Sequence, residues 1–341
     1  MPQPNFAERS CVFDTYWHFA AERLNMFYRR LEGAPSPWTD DQILQAHRFT
    51  NVYRVTDRVS QYLVGEVQYG TGRSQAIDEV FFRTLLFKIF NKIETWEAIE
   101  SELGPIGWQS ANLERLDDVL HSIVGRGQSI YSAAYIMPSP AFGRKKKHSN
   151  HLRLLAKMMD DRLPSRISSA KSLNSVYEEL LAYTGIGKFL AFQFAIDLNY
   201  SSIIDFPESE FVVAGPGAHD GISKCFPRAS PGDAEQLIMA VAERQTEEFK
   251  KRGIVFPGLY GRPLQPIDCQ NLFCEISKYS RVSHPEIRGV ANRQRIKQVY
   301  RGARRPIKVP VFPPKWNLRV RPVEVSAPTG LVSFDAQPRL L

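Results

Sequence analysis

Two stretches of this chain carry residue types and spacings suited to chemistry on a phosphate-bearing polymer. Thr184-Gly185-Ile186-Gly187-Lys188 lies between two apolar-patterned segments, and 28 residues after Gly187 the chain reaches Gly215-Pro216-Gly217-Ala218-His219-Asp220-Gly221. Two glycines around one aliphatic residue permit a reversal that ordinary side chains would obstruct. Ile186 then anchors the turn in the core. The N–H groups that open the next helix point outward, where they bind phosphate, and Lys188 adds positive charge there. A phosphate-loop nucleotide site is excluded at this place. It requires Gly at position 182 and Ser or Thr after the lysine, whereas the chain has Ala182 and Phe189. Helices often end in glycine for no reason of binding, so the flanking segments carry the interpretation.

Carboxylates downstream are the candidates for bond-making. Asp205 lies 20 residues past Gly185 and precedes Phe206-Pro207, while Asp220 lies 35 past Gly185, at the expected mouth of a helix. A carboxylate beside an extruded nucleotide stabilises positive charge on the sugar, activates water, or bonds to C1′. Asp220 is the first candidate for that role and Asp205 the second. Each also has a plainer interpretation, a helix N-cap for Asp220 and a structural turn for Asp205. His219 is a candidate base contact or a solvated turn residue.

Polar residues inside core-like segments form a third group. Arg54 and Asp57 are three residues apart, as are Lys88 and Asn91, and Arg83 lies in the same apolar stretch as the latter pair. On one helical face such groups meet. Buried, they require partners, so they line a pocket or join helices through internal salt bridges. The four cysteines, Cys11, Cys225, Cys269 and Cys274, form no C-x-x-C pair and read as reduced thiols. His148 and His151 stand beside a loop without other ligand types, so no metal site and no cofactor are expected.

These residues must be positioned by helices. Apolar periodicity predicts helices over 10–31, from a cap at Thr39 or Asp40 to about 65, and over 75–100, 111–134, 151–162, 172–182, 188–199, 220–226, 232–252 and 267–280. Strand signals are few, and the expected architecture is mainly α. No run approaches the roughly 18 consecutive apolar residues of a membrane span. The N-terminus lacks a basic stretch followed by an apolar one, so a cytoplasmic protein is expected.

The charge is uneven. Residues 281–341 hold 13 Lys/Arg against three Asp/Glu, whereas the whole chain is only +8. Arg293, Arg295, Lys297, Arg301, Arg304 and Arg305 are therefore candidate phosphate contacts, and the segment past 300 reads as an extended arm. The expected division is a catalytic body over 1–282 and a basic extension over 283–341.

Five blocks in order then resemble one family: Phe49-Thr50-Asn51-Val52-Tyr53-Arg54 with Asp57-Arg58, Phe87-Lys88-Ile89-Phe90-Asn91, Gly185-Ile186-Gly187-Lys188-Phe189, Phe211 to Ala218, and Asp268-Cys269-Gln270-Asn271-Leu272-Phe273-Cys274-Glu275. The family is that of α-glutamyl/putrescinyl thymine pyrophosphorylases and the helical domain found with 5-hydroxymethyl-deoxyuridine DNA kinases. The resemblance covers about 10–282. It implies a fold like that of helix-hairpin-helix DNA glycosylases and work on hypermodified pyrimidines of phage DNA. No phosphate loop occurs in the chain, so the kinase activity of the fused proteins is not expected. A glycosylase that flips and excises a hydroxymethylated or glucosylated pyrimidine from double-stranded DNA, in antiphage defence, is the first expectation. The alternative is a transferase that replaces the phosphate of a 5-phosphomethyl-pyrimidine with an amino acid or amine. Both need a flipped base. The transferase also needs a pocket in which a group such as Arg54 or Arg83 holds a carboxylate or phosphate.

Overall fold

The computed structural model describes residues 8–134, 136–302 and 307–323. Along the chain the helices are α1 (Cys11–Leu31), α2 (Gln42–Ala46), α3 (Arg58–Tyr62), α4 (Ile77–Phe90), α5 (Ile93–Leu103), α6 (Leu113–Gly125) and α7 (Lys147–Asp160). They continue with α8 (Leu163–Ser168), α9 (Leu173–Leu181), α10 (Lys188–Asn199), α11 (Pro216–Cys225), α12 (Ala234–Lys251) and α13 (Pro266–Ser283). The described residues contain no strand, only two isolated bridges, His47 with Val299 and Leu259 with Arg262. The fold is mainly α, as the periodicity indicates. None of these helices is long and apolar enough to cross a membrane. Arg304 and Arg305 lie outside the described residues.

Two compact units emerge. The first takes its described residues from Met1–Arg54, Ala214–Val309 and Arg319–Leu341, the second from Val55–Val213 and Pro310–Leu318. In the first unit α13 packs against α1, α2, α11 and α12. Aromatic rings fill the seams, with Tyr16 on Phe273 at 4.7 Å and Trp17 edge-on to Phe249 at 4.8 Å. Pro216 at the first helical position starts α11 four residues before Asp220, so Asp220 lies inside the helix and does not cap it. Gly217 and Gly221 face α13. A Cβ at Gly217 would reach 2.9 Å from Cys274 Sγ, and one at Gly221 would overlap the backbone of Phe273. The close approach that these glycines allow is between two helices.

In the second unit α4 and α10 are rich in apolar residues and bury nearly every position, including charged ones such as Lys88 and Asp197. They pack together, with α7 and α8 also on α4, and α9 on α10. Two expected helices are interrupted. Asn91 takes a left-handed φ of 50° and ends α4, so 75–100 holds two helices. The helix expected to 65 stops at α2, whose cap is Asp41. Residues 47–53 then have tertiary partners in place of helical ones: Arg23 Nη2 donates to Thr50 O at 2.9 Å, and Thr50 N–H donates to Glu275 Oε2 at 3.2 Å. Residues 54–56 form a 3-10 turn and Asp57 is extended, so the shared helical face expected of Arg54 and Asp57 does not form.

Candidate active site

The turn from α9 into α10 is a tight reversal. Gly185 takes a φ of 84°, and a Cβ there would also press on Pro140 at 2.9 Å. Ile186 is buried, and its N–H donates to Tyr183 O at 3.1 Å. Gly187 is the N-cap of α10 in extended conformation, and Gly187 and Lys188 are exposed. The start of α10 therefore presents backbone N–H groups, the positive end of the helix and an ammonium to solvent, the ingredients of a phosphate contact. His151 braces the turn from behind. Tyr131 Oη lies 2.7 Å from His151 Nδ1 and Pro138 O lies 2.9 Å from Nε2. The carbonyl accepts from Nε2–H, so Nδ1 accepts from the phenol, and burial pulls the imidazole down to about 4. This histidine is structural, and it holds the loop whose Pro140 backs Gly185.

A cavity of about 640 Å³ lies in the same unit, with Glu66, Arg73, Glu79, Arg83 and Glu100 in its wall. Arg73 grips Glu100 with both terminal nitrogens, at 2.7 and 2.8 Å. Trp96 Nε1 donates to the same carboxylate at 2.8 Å. Glu79 accepts the backbone N–H of Trp108 at 2.7 Å and of Gln109 at 2.9 Å. Arg83 is buried, donating to Val67 O at 3.0 Å and Ser74 O at 2.8 Å, with Nη1 3.8 Å from Glu79. Burial, and then the charge of Arg73, lower the proton affinity of Arg83. Both signs of charge are thus fixed in orientation around one space, which suits a small molecule carrying an amine and a carboxylate.

The loop after α10 is tied to the rim of this cavity. Gln75, next to the wall residue Ser74, accepts from Ser202 Oγ at 2.8 Å. Asn199 clasps Phe206 through two hydrogen bonds of 2.9 Å, which folds the loop back on the end of α10. Asp205 sits on this loop, exposed. Burial, and then the Asp205 charge, push the Tyr69 phenol up to about 12. Lys315 holds the loop from the C-terminal segment. It donates to Ser201 O at 2.9 Å and to Ile204 O, and its ammonium lies 3.7 Å from Asp205. Trp316 stands edge-on to Tyr200 with ring centres 5.5 Å apart. The 12 residues of α10 separate this loop from Gly187 by about 18 Å at 1.5 Å per residue.

The other expected residues fall elsewhere. Lys88 and Asn91 are not in the wall of this cavity. Lys88 Nζ donates to Asn91 Oδ1 at 2.7 Å and pairs with Asp197 Oδ2 of α10 at 3.3 Å, all three being buried. Arg54 is buried in the first unit, where its N–H donates to Asp268 Oδ1 at 2.9 Å. Burial pushes the Asp268 carboxyl up to about 6 against that bond. Asp57 and His219 are half-buried. Asp220 is buried, with Oδ2 accepting from the Ser277 hydroxyl and Oδ1 from Ala291 N–H at 2.7 Å. Arg293, Arg295 and Lys297 are exposed just beyond that anchor, and Arg48 N–H donates to Gln298 O at 3.0 Å to hold the stretch further on.

The profile described as the 5-hmdU DNA kinase, helical domain, matches residues 10–289. The chain belongs to this family. The 5-hmdU DNA kinase of Bacillus phage SP10 is 24% identical over 288 residues, which cover 79% of this chain and 45% of that protein. The chain thus spans about half the length of the relative it matches. No solved structure is significantly similar to it. As a 5-hmdU DNA kinase helical domain, the matched stretch contains the hairpin, the cavity wall, Asp205 and Asp220. Arg293, Arg295, Lys297 and Lys315 lie beyond it.

Sequence reasoning passed over Arg73, Glu100, Asp197 and Lys315. For Asp197 a signal existed, since a lone acid in Phe192-Gln193-Phe194-Ala195-Ile196-Asp197-Leu198 has to find a buried partner. The roles of Lys188 and of the basic stretch are separable by salt dependence. Lys188→Ala is expected to reduce the slope of log K against log salt for duplex DNA by about 0.9, and replacing Arg293, Arg295 and Lys297 together by about 2.7. Unchanged slopes in a fluorescence-anisotropy titration across salt would remove these residues from the interface.

Proposed function

We propose that this chain is a DNA-modifying transferase that exchanges a substituent on the exocyclic carbon of a 5-substituted pyrimidine. The carrying observation is the cavity walled by Arg73, Arg83, Glu66, Glu79 and Glu100, with the exposed Asp205 on a loop tied to its rim. Membership in the 5-hmdU DNA kinase helical-domain family supports a substrate of this class, since the phage relative is named for 5-hmdU in DNA. The exposed start of α10 with Lys188 supports a grip on the strand.

The step balances without a nucleotide. A free amine enters the cavity, its carboxylate facing Arg83 and Arg73 where it carries one. Its nitrogen lone pair forms a C–N bond to the exocyclic carbon of a 5-phosphomethyl-pyrimidine. The C–O bond breaks, phosphate leaves with that electron pair, and the new ammonium passes a proton to Asp205. General-base assistance of this kind contributes about 10²–10⁴-fold.

Duplex DNA carrying 5-phosphomethyl-deoxyuridine, incubated with the chain and labelled amino acids or diamines, is expected to take up label. Asp205→Asn is expected to slow uptake by about 10²-fold or more, with DNA affinity unchanged. Base excision would instead leave abasic sites without label, and that outcome would overturn the transferase reading in favour of a glycosylase.

A further inference from the structure

We propose that Cys11, His284 and Glu286 form a divalent transition-metal site, best matched to Zn²⁺, which joins the start of α1 to the segment leaving α13. These residues bring one thiol, one imidazole and one carboxylate together, with their ligand atoms all within 4.8 Å of one another. Cys11 Sγ lies 3.4 Å from His284 Nδ1, and Glu286 Oε1 lies 3.7 Å from the same nitrogen. Tetrahedral Zn²⁺, with Zn–S of about 2.3 Å and Zn–N and Zn–O of about 2.0–2.2 Å, separates such ligand atoms by roughly 3.4–3.6 Å. The two separations to His284 Nδ1 are therefore already close to the spacing that a single ion imposes, and the thiol and carboxylate lie within 4.8 Å of each other.

Thr15 touches the far nitrogen of the imidazole and orients the ring. Thr15 Oγ1 donates its hydrogen to Cys11 O at 3.1 Å. Its oxygen lies 2.8 Å from His284 Nε2, and in the tautomer with the proton on Nε2 it accepts the ring N–H. That tautomer turns the Nδ1 lone pair toward Cys11 Sγ, 3.4 Å away, and is the one a metal selects. The backbone supplies the third ligand. His284 ends α13, with its N–H on Ser280 O at 3.0 Å, and its carbonyl accepts Ile287 N–H at 3.1 Å. That turn brings Glu286 back over the ring. Mixed sulfur, nitrogen and oxygen ligation suits Zn²⁺ and disfavours Mg²⁺ or Ca²⁺. Cys11 and Glu286 are exposed and His284 is buried, so an ion reaches the site from solvent and keeps a water as its fourth ligand.

The test uses the full chain, reduced with a phosphine and stripped of metal by a chelator. Zn²⁺ is expected to bind one equivalent per chain and raise Tm, and Co²⁺ to give a thiolate-to-cobalt charge-transfer absorption. Cys11 is exposed, so Cys11→Ser leaves the fold intact and is expected to abolish both the Tm rise and the absorption. Thr15→Val touches no metal and is expected to weaken affinity by about 10–100-fold. Failure of the chain to bind either ion overturns the site. So does a charge-transfer band that survives in Cys11→Ser, because another thiol is then the ligand.

Discussion

Asp197→Ala is expected to destabilise the second unit by about 3–5 kcal/mol, the usual cost of stranding the partner of a buried ion pair. The side chains of Lys88 and Asp197 are only 2% and 0% exposed. Their setting is apolar, since α4 and α10 bury nearly every position along their length. Without the carboxylate, the Lys88 ammonium keeps the Asn91 amide oxygen at 2.7 Å, a neutral acceptor that cannot balance its charge. For a unit of this size the loss corresponds to a fall in Tm of roughly 10 °C. Removing both charges, as Lys88→Met with Asp197→Leu, is expected to cost far less, because no charge remains to be buried. Urea denaturation of the two singles and the double closes the cycle. A single-variant cost below about 1 kcal/mol, or a double as damaged as Asp197→Ala, would show that the pair is not what holds α4 to α10.

The pair also shows what the chain discloses and what it withholds. The apolar residues at helical spacing make α4 and α10 readable as helices, while the burial of their polar positions as well is set by the packing around them. The hairpin is readable because Gly185, Ile186, Gly187 and Lys188 act locally, through φ, burial and the start of a helix. The break at Asn91 is different, since an Asn that leaves the helical region looks the same in sequence as one that stays in it. Gly215-Pro216-Gly217 misleads in another way. As a turn it suggests room for a ligand, yet Pro216 starts α11 and the glycines serve contact with α13. The cavity wall is hardest to read, because Glu66, Arg73, Glu79 and Glu100 come from separate elements and meet only through tertiary packing. Cys11 and His284 are 273 residues apart, a spacing that no local motif can register.

Asp220→Ala is expected to cost the first unit a similar 3–5 kcal/mol, and to reach DNA binding as well. Both carboxylate oxygens are engaged, by the Ser277 hydroxyl and by Ala291 N–H, and Ser223 Oγ accepts Val290 N–H at 3.2 Å beside them. A Cβ at Gly289 would overlap the carboxylate, so the segment passes directly over it. Two cations depend on the same charge. Burial lowers the proton affinity of Lys224 and of Arg281, and Asp220 is the largest influence opposing it at each. Alanine leaves a hydroxyl and an N–H without their acceptor, and it takes from Lys224 and Arg281 the largest opposing charge each has, Arg281 keeping only the weaker influence of Glu275. It also frees residues 289–291, the anchor from which Arg293, Arg295 and Lys297 extend. The salt slope for DNA is therefore expected to fall along with Tm. Asp220→Asn separates a brace from a catalyst. The amide oxygen still accepts from Ala291 and the amide nitrogen donates to Ser277, so a brace loses stability while the folded protein turns over at its usual rate. A general base instead loses about 10²–10⁴-fold in kcat with Tm nearly unchanged. Thermal melts and single-turnover rates on the same Asn variant decide between them, and an intact Tm with collapsed turnover would return Asp220 to the reacting atoms.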